Sequence, residues 1–129
     1  MFDPFWDDLY ICKQLAKLEV GPFDGGCLMI AAAIRQAFCS REHTTGPLYV
    51  LIDKKGGWHH AVYQRNGMFY DANGESTRDQ LIAHWRSEEG VVVVDILPCE
   101  IYECLAHDCG CWDNDVAINI ANYLAQITK

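Results

Sequence analysis

The sequence predicts an α+β fold in a single domain covering residues 1–129, with helices first, an antiparallel sheet in the middle, and a helix, a strand and a helix at the end. Three patterns favour this class. Apolar residues recur at helical spacing over residues 5–38 and again over residues 117–127. Between them, the dipeptide Asn66-Gly67 separates two strand-like runs. Half of the 129 residues are hydrophobic and 22% are charged, which is typical of a folded domain.

Two helices are predicted in the first third of the chain. Asp3-Pro4 predicts the start of the first helix, because Asp accepts a hydrogen bond from a free N–H group and Pro suits the first helical turn. The helical spacing continues until Gly21-Pro22 ends it. A second helix is predicted from Cys27 to about residue 39. Because it is apolar on nearly every side, it should lie in the middle of the core.

Three strands are predicted in the middle of the chain. Leu48–Ile52 is a strand that the glycines and lysines of residues 54–57 bring to an end. Trp58–Arg65 and Met68–Ala72 form a hairpin around Asn66-Gly67, since this dipeptide tolerates the two positive φ values of a tight turn.

The C-terminal third predicts a helix, a strand and a helix. Residues 77–80 have the spacing of a capping box and open the first of these helices, which stops at Gly90. Val91–Leu97 is predicted as a buried strand, and Asp113 or Asn114 caps the last helix.

Charge and hydropathy exclude several classes of partner. Ten Lys and Arg against eighteen Asp and Glu give a net charge of −8, and the basic residues are scattered, so no nucleic-acid partner is predicted. No window approaches the roughly 20 apolar residues that span a bilayer, and the N-terminus lacks a signal-peptide pattern. We therefore expect a cytoplasmic protein without membrane association. Its seven cysteines are then expected as free thiols, metal ligands or a nucleophile, not as a disulfide framework.

Cys27 is the most informative of these cysteines. It lies where the Gly25-Gly26 turn enters the apolar helix, so its sulfur would face free N–H groups at the positive end of the helix dipole. This position favours a thiolate, and the glycines leave room for a substrate carbonyl. The alternative is a small buried residue that begins a core helix.

The hairpin supplies a possible base and its orienting group. With a two-residue turn, His60 faces Asn73 and lies diagonally from Asp71, so either Asp71 or Asn73 could orient its ring. His59 falls on the opposite face, and a three-residue loop would favour it instead. The alternative is that the histidine is structural and that Asp71 merely ends the hairpin.

The segments Phe23-Asp24-Gly25-Gly26-Cys27 and His60-Ala61-Val62, continued through Tyr70-Asp71-Ala72-Asn73-Gly74, resemble the papain-like thiol hydrolase superfamily. The resemblance covers roughly residues 23–74 and includes the core of the NlpC and transglutaminase type and small bacterial and phage relatives. It implies that Cys27 attacks an amide carbonyl, that His60 carries the proton, and that Asp71 or Asn73 orients the histidine. It also implies a protein or peptide-like substrate and no cofactor.

The oxyanion site departs from this pattern. Papain-type peptidases have a glutamine six residues before the nucleophile, where this chain has Gly21, and Leu28 replaces the tryptophan that follows the nucleophile. The backbone N–H of Cys27 is the predicted oxyanion donor, with Gln14 as a candidate second donor. Peptidase, amidase, deamidase and acyltransferase activities all remain open.

A group of metal-ligand residues lies near the C-terminus, namely Cys99, Cys104, His107, Cys109 and Cys111. Four thiols and an imidazole could hold zinc tetrahedrally. The spacing lacks the paired Cys-x2-Cys units of structural zinc sites, so we predict no metal site here. Free or buried thiols are the favoured interpretation, and metal binding or a disulfide or redox switch are the alternatives.

The sequence thus favours a small cysteine hydrolase or acyltransferase that uses Cys27, His60 and Asp71. Two alternatives belong to other classes. One is a non-catalytic papain-like interaction module, such as an inhibitor from a phage or mobile element, that binds a partner through an acidic face. The other is an adaptor stabilised by zinc at Cys99–Cys111. The oligomeric state is not predicted.

Overall fold

This computed structural model describes residues 3–42 and 46–127. Within these ranges the chain forms five α-helices and one five-stranded antiparallel sheet. The α+β class is thereby confirmed. The elements in chain order are α1 (Leu9–Ala16), α2 (Cys27–Glu42), β1 (Leu48–Asp53), β2 (Trp58–Arg65), β3 (Met68–Asp71), β4 (Gly74–Ser76), α3 (Arg78–Glu88), β5 (Val93–Cys99), α4 (Ile101–Ala106) and α5 (Asn114–Ile127).

The sheet places β2 at its centre. Its strand order is β4-β3-β2-β1-β5, and every neighbouring pair is antiparallel. One face of the sheet packs against α2, which in turn packs against α5, and the other face is covered by α3. The central strand that carries both candidate histidines is therefore enclosed by helices on two sides.

Helix α2 forms the middle of the core, as its composition predicts. Every side chain from Cys27 to Ile34 is at most 8% exposed. A helix buried on all sides needs no polar face, which explains why its apolar residues show no single stripe.

The hairpin register agrees with the sequence prediction. Arg65 pairs with Met68, and Tyr63 pairs with Tyr70. Both turn residues have positive φ, 53° for Asn66 and 78° for Gly67, which is the conformation of a two-residue hairpin turn. The register assigns the residues of β2 to the two faces of the sheet.

A β-bulge separates the two histidines further. Leu51 of β1 pairs with His60, but the next residue, Ile52, pairs with Trp58, so His59 is an extra residue in β2. The bulge lets His59 turn toward the β1–β2 turn while His60 stays in the regular ladder.

The predicted start and end of the first helix are wrong. Helix α1 begins at Leu9, because the side chain of Asp8 accepts a hydrogen bond from the N–H of Ile11 at 3.2 Å. The N–H of Phe5 instead donates to the carbonyl of Ala72 at 2.8 Å, so the chain around Asp3-Pro4 runs along the hairpin end. The helix ends at Ala16, before the predicted stop at residues 21–22.

The strand predicted at Val91–Leu97 is also corrected. Strand β5 spans Val93–Cys99 and lies at the edge of the sheet, paired with β1. Val94 and Leu97 are 51% and 41% exposed. An apolar run does not distinguish a central strand from an edge strand, because both satisfy the same local pattern.

Two predicted caps are present, and two short elements were not foreseen. Thr77 and Gln80 form the capping box of α3, which ends before Gly90. The carboxylate of Asp113 accepts the N–H of Val116 at 3.1 Å at the start of α5. Strand β4 and helix α4 are too short to leave a clear periodic pattern.

No helix within residues 3–42 and 46–127 combines the length and apolar content needed to cross a bilayer.

Candidate active site

Cys27 is the first residue of α2, and a tight turn positions it there. The N–H of Gly26 donates to the carbonyl of Gly21 at 2.9 Å, and Gly25 has a φ of 93°. A Cβ on Gly26 would lie 2.5 Å from that carbonyl oxygen and 3.0 Å from Leu15, so only glycine fits. The turn therefore delivers the Cys27 thiol to the helix N-terminus, as the sequence predicts.

His60 is held in a fully buried position on β2. Its Nε2 atom lies 2.9 Å from Oδ2 of Asp71, and its ring packs against Trp85 at 4.6 Å and Phe23 at 5.8 Å between centroids. The side chain is 0% exposed. With Nε2 bonded to the carboxylate, Nδ1 is the ring nitrogen that remains for the thiol.

Of the two residues that the register left open as partners of the His60 ring, Asp71 is the one bonded to it. The Oδ1 atom of Asp71 accepts the N–H of Asn73 at 2.8 Å, so both carboxylate oxygens are engaged. The side-chain amide of Asn73 lies 2.9 Å from Nε2 of His84 and is thus bonded to a different histidine. Asp71 is therefore the residue that orients His60, and the backbone of Asn73 holds Asp71.

The electrostatics of Cys27 and His60 favour a charged pair. A hydrogen bond from Cys109 and the neighbouring His60 hold the pKa of Cys27 well below its usual range, although burial acts in the opposite direction. Burial by itself lowers the pKa of His60, but Asp71 and Cys27 outweigh it and raise that pKa to about 9. At neutral pH the arrangement therefore favours a Cys27 thiolate beside a His60 imidazolium.

The Nδ1 atom of His60 is a buried polar atom without a standard hydrogen bond to any described residue. Leaving such an atom unpaired costs about 1–3 kcal/mol, so its position requires an explanation. The Cys27 sulfur is close enough to shift the pKa of the ring and is the reactive group beside it. Catalytic hydrogen bonds are often long before substrate binds, which fits this geometry.

A short segment after α4 covers the thiol. The N–H of Cys111 donates to the carbonyl of Gly25 at 3.0 Å, and a Cβ on Gly110 would lie 2.8 Å from the Cβ of Leu28. We call residues 109–111 the covering segment. Together with the packing of α2, it leaves Cys27 only 3% exposed.

His59 does not belong to the site. Its Nε2 atom lies 2.6 Å from Oδ2 of Asp53, the last residue of β1. That hydrogen bond, with the N–H groups of Gly57 and Lys55, lowers the pKa of Asp53 to about 2. The pair is partly exposed, at 33% for His59 and 25% for Asp53.

Gln14 connects two helices. Its Oε1 atom accepts from Nζ of Lys17 and from Nδ2 of Asn119, each at 3.1 Å, which connects α1 to α5. Across the described residues no recorded hydrogen bond links Gln14 to Cys27. The backbone N–H of Cys27 lies in the first turn of α2, where N–H groups have no partner within the helix, and it stays the predicted oxyanion donor.

The C-terminal cysteines and His107 are divided among different neighbours. Cys99 and Cys104 have sulfurs 3.0 Å apart, whereas His107 stacks on Trp58 at 4.0 Å and Cys111 contacts Gly25. In the part of the chain that the structure describes, no group of three or more His, Cys, Asp or Glu residues is arranged to hold a metal ion.

Two contacts of Cys27 escape the sequence analysis. Cys109 and the backbone of Ala61 both lie near enough to the Cys27 sulfur to lower its pKa. Nothing in the spacing signals the first contact, since it depends on how the covering segment packs. The second follows from the position of Ala61 beside His60. All seven cysteines are free thiols.

Comparisons of this chain with protein-family models, with curated proteins and with solved structures find no significant match.

Proposed function

We propose that this protein is a cysteine-dependent hydrolase or acyltransferase that acts on an amide, isopeptide or ester bond. The observation that carries the proposal is the buried series Cys27, His60 and Asp71, in which a low-pKa thiol meets an imidazole oriented by a carboxylate. A nucleophile, its base and an orienting group in this order are the arrangement of covalent acyl transfer.

The proposed reaction has two stages, formation of a thioester on Cys27 and its breakdown, and Cys27 and His60 act in both. The Cys27 thiolate attacks the carbonyl carbon, and the developing oxyanion is stabilised by the N–H of Cys27. His60 gives its Nδ1 proton to the leaving amine, and a thioester forms on Cys27. Water, or an acceptor amine, then loses a proton to His60 and attacks the thioester, which releases the Cys27 thiolate.

Access to the sulfur requires the covering segment to move. A carbonyl group must approach Cys27 to bonding distance, but the side chain is 3% exposed and Cys111 is bonded to Gly25. This restriction favours a particular substrate that displaces the segment over general peptide hydrolysis. It supports amidase, deamidase or transfer activity more than broad peptidase activity.

A small activated ester tests the proposal without knowledge of the substrate. We expect p-nitrophenyl acetate to acetylate Cys27 first, with release of p-nitrophenol, as shown by peptide mass spectrometry. Cys27→Ser should remove the fast phase, and Cys111→Ser, which alters a thiol on the covering segment, should retain it. Acetylation spread evenly over the seven cysteines would argue for the non-catalytic interaction module instead.

The pH dependence sharpens this test. Because the pKa of Cys27 is lowered, acetylation should rise through an inflection well below the usual thiol value of about 8.5. The thiolate persists at higher pH, so acetylation should not fall there. Amide turnover should fall as the pH rises through about 9, the pKa of His60, because the leaving amine then lacks a proton donor. An alkaline decline in ester acetylation would contradict these roles.

A further inference from the structure

Four buried cysteines form a continuous series that begins at the candidate nucleophile. Hydrogen bonds of the backbone place Cys109 next to Cys104 and its neighbour Cys111 against Gly25, at 2.8 and 3.0 Å. In this position Cys109 is close enough to Cys27 and Cys104 for these thiols to shift one another's pKa. The Cys104 sulfur lies 3.0 Å from that of Cys99. Each of the four buried cysteines is at most 3% exposed. The last distance exceeds a disulfide bond of about 2.05 Å by only about 1 Å, so a small movement joins the two sulfurs.

Backbone contacts fix this series from both ends. The N–H of Cys109 donates to the carbonyl of Cys104 at 2.8 Å, which sets these two cysteines close together after α4. On the other side, the N–H of Cys111 donates to Gly25, and Gly110 packs on Leu28. The covering segment is thus tied to the residues on either side of Cys27, and Cys109 is brought to the nucleophile.

We propose that Cys27, Cys109, Cys104 and Cys99 form a site of reversible two-electron oxidation by hydrogen peroxide. Cys109 is the thiol that resolves oxidised Cys27, and the disulfide then moves to Cys104 and Cys99. The inference shares the reactive Cys27 thiolate with the proposed function, but it concerns a different reaction and a different product.

The first two steps consume the peroxide. The Cys27 thiolate attacks one peroxide oxygen, the O–O bond breaks, and the departing hydroxide takes the proton of His60 and leaves as water. Cys27 is now a sulfenic acid. The Cys109 thiol attacks the Cys27 sulfur, an S–S bond forms, the S–O bond breaks, and hydroxide leaves with the thiol proton as a second water.

Two exchange steps then free the nucleophile. The pKa of Cys104 is lowered to about 4, so its thiolate attacks the Cys109 sulfur and releases the Cys27 thiolate, and His60 regains its proton from solvent. Cys99 attacks the Cys104 sulfur and releases Cys109, which receives the proton of Cys99. Overall, one peroxide is reduced to two waters and two thiols are oxidised to one disulfide.

Two properties of the site support this order. Peroxide is far smaller than an acyl substrate, so the narrow exposure of Cys27 restricts it least. The pKa values of Cys27 and Cys104 are both lowered, but only Cys27 lies beside His60, which can protonate the departing hydroxide, so Cys27 reacts first and is also a good leaving group in the exchange. Hydrogen bonds to Cys104 and to Cys27 raise the pKa of Cys109, which therefore waits as a thiol.

The experiment treats the reduced protein with stoichiometric hydrogen peroxide, quenches by alkylation at successive times and maps disulfides by non-reducing mass spectrometry. We expect a Cys27–Cys109 disulfide that appears first and decays while Cys99–Cys104 accumulates, and full reversal by dithiothreitol. Cys104→Ser should trap the first disulfide. Cys27→Ser should slow formation of Cys99–Cys104 by about tenfold or more, because the reactive thiolate is lost.

Cys109→Ser is the decisive variant, with Cys111→Ser as its matched control in the same segment. Without Cys109, we expect Cys99–Cys104 to form about tenfold more slowly, and a second equivalent of hydrogen peroxide should carry the Cys27 sulfenic acid on to sulfinic acid; Cys111→Ser should behave as the unaltered protein. Cys109→Ala, with a thermal melt of each variant, separates a chemical loss from misfolding. If Cys99–Cys104 forms at the same rate without Cys27 or Cys109, the relay is refuted. If the disulfides form as expected but p-nitrophenyl acetate does not acetylate Cys27, the proposed function alone fails.

Discussion

Two adjacent histidines on β2 each contact a carboxylate, yet only one of the pairs lies beside a thiol in the candidate active site. His59 lies 2.6 Å from Asp53 and His60 lies 2.9 Å from Asp71, both through Nε2. The first pair is a quarter to a third exposed, and the second is at most 3% exposed. A His–Asp contact is therefore not by itself the mark of a catalytic site.

The surroundings of the two pairs account for the difference. His60 is packed between aromatic rings and has a thiol on its free side, so its charge is stabilised by groups that water cannot replace. His59 faces a turn whose N–H groups already bond to Asp53, and water screens the pair. Burial beside Cys27 is therefore what makes His60, and not His59, the candidate base.

The largest expected effect separates the two histidines directly. His60→Ala should slow alkylation of Cys27 by iodoacetamide by up to about 30-fold at neutral pH, because the thiolate loses its neighbouring imidazolium and a thiol of usual pKa is only a few per cent ionised there; Cys109, which also lowers the pKa of Cys27, remains and sets how much of this limit is reached. His59→Ala should change the rate less than about twofold, because it removes no neighbour of the sulfur. Brief labelling followed by peptide mass spectrometry measures both. The reverse order would mean that the comparison, and the triad built on it, is wrong.

A smaller effect is expected at the orienting carboxylate. Asp71→Ala should slow Cys27 alkylation by about three- to tenfold, since His60 then loses the hydrogen bond that raises its pKa. It should also lower the free energy of unfolding by about 1–3 kcal/mol, because Nε2 of His60 is left buried and unpaired.

Asp71→Asn provides the matched control for this prediction. The amide keeps a hydrogen-bonding group beside His60 but removes the charge, so stability should recover more than reactivity. Thermal or denaturant unfolding, measured beside the alkylation rate, separates the two properties. Equal loss of both in the two variants would reduce Asp71 to a structural residue.

The residues that could be predicted from sequence are those whose positions depend on local geometry. The Asn66-Gly67 turn sets the hairpin register and hence the separation of His60 from His59, and the glycine turn sets Cys27 at the helix start. The Thr77 capping box is equally local. Because these signals act over a few residues, no knowledge of the rest of the fold is needed.

The features that escaped prediction depend on contacts between distant parts of the chain. Phe5 leaves its predicted helix because its N–H pairs with Ala72. Strand β5 is an edge strand because the chain pairs it with β1 alone. The contact of Cys109 with Cys27 depends on the path of the covering segment across α2. Periodicity and spacing carry no information about such contacts.

The smallest expected effect concerns the pair outside the site. Oδ1 of Asp53 accepts the N–H groups of Lys55 and Gly57 at 2.8 and 2.9 Å, so Asp53→Ala leaves the β1–β2 turn without these bonds. We expect Tm to fall by a few degrees and Cys27 alkylation to stay unchanged. Asp53→Asn keeps an acceptor for the turn, so its Tm should lie between those of the unaltered protein and Asp53→Ala.

The difference in Tm between the unaltered protein and Asp53→Ala should become smaller at acidic pH. The pKa of Asp53 is lowered to about 2, so its carboxylate stabilises the fold above the usual carboxyl range and loses that contribution as the pH falls toward 2. Thermal melts at neutral pH and near pH 2 measure the change. Slowing of Cys27 alkylation by Asp53→Ala as large as that by His60→Ala would contradict this separation. The two histidine pairs would then be coupled through the bulge at His59, and the difference in their burial would not account for the reactivity of Cys27.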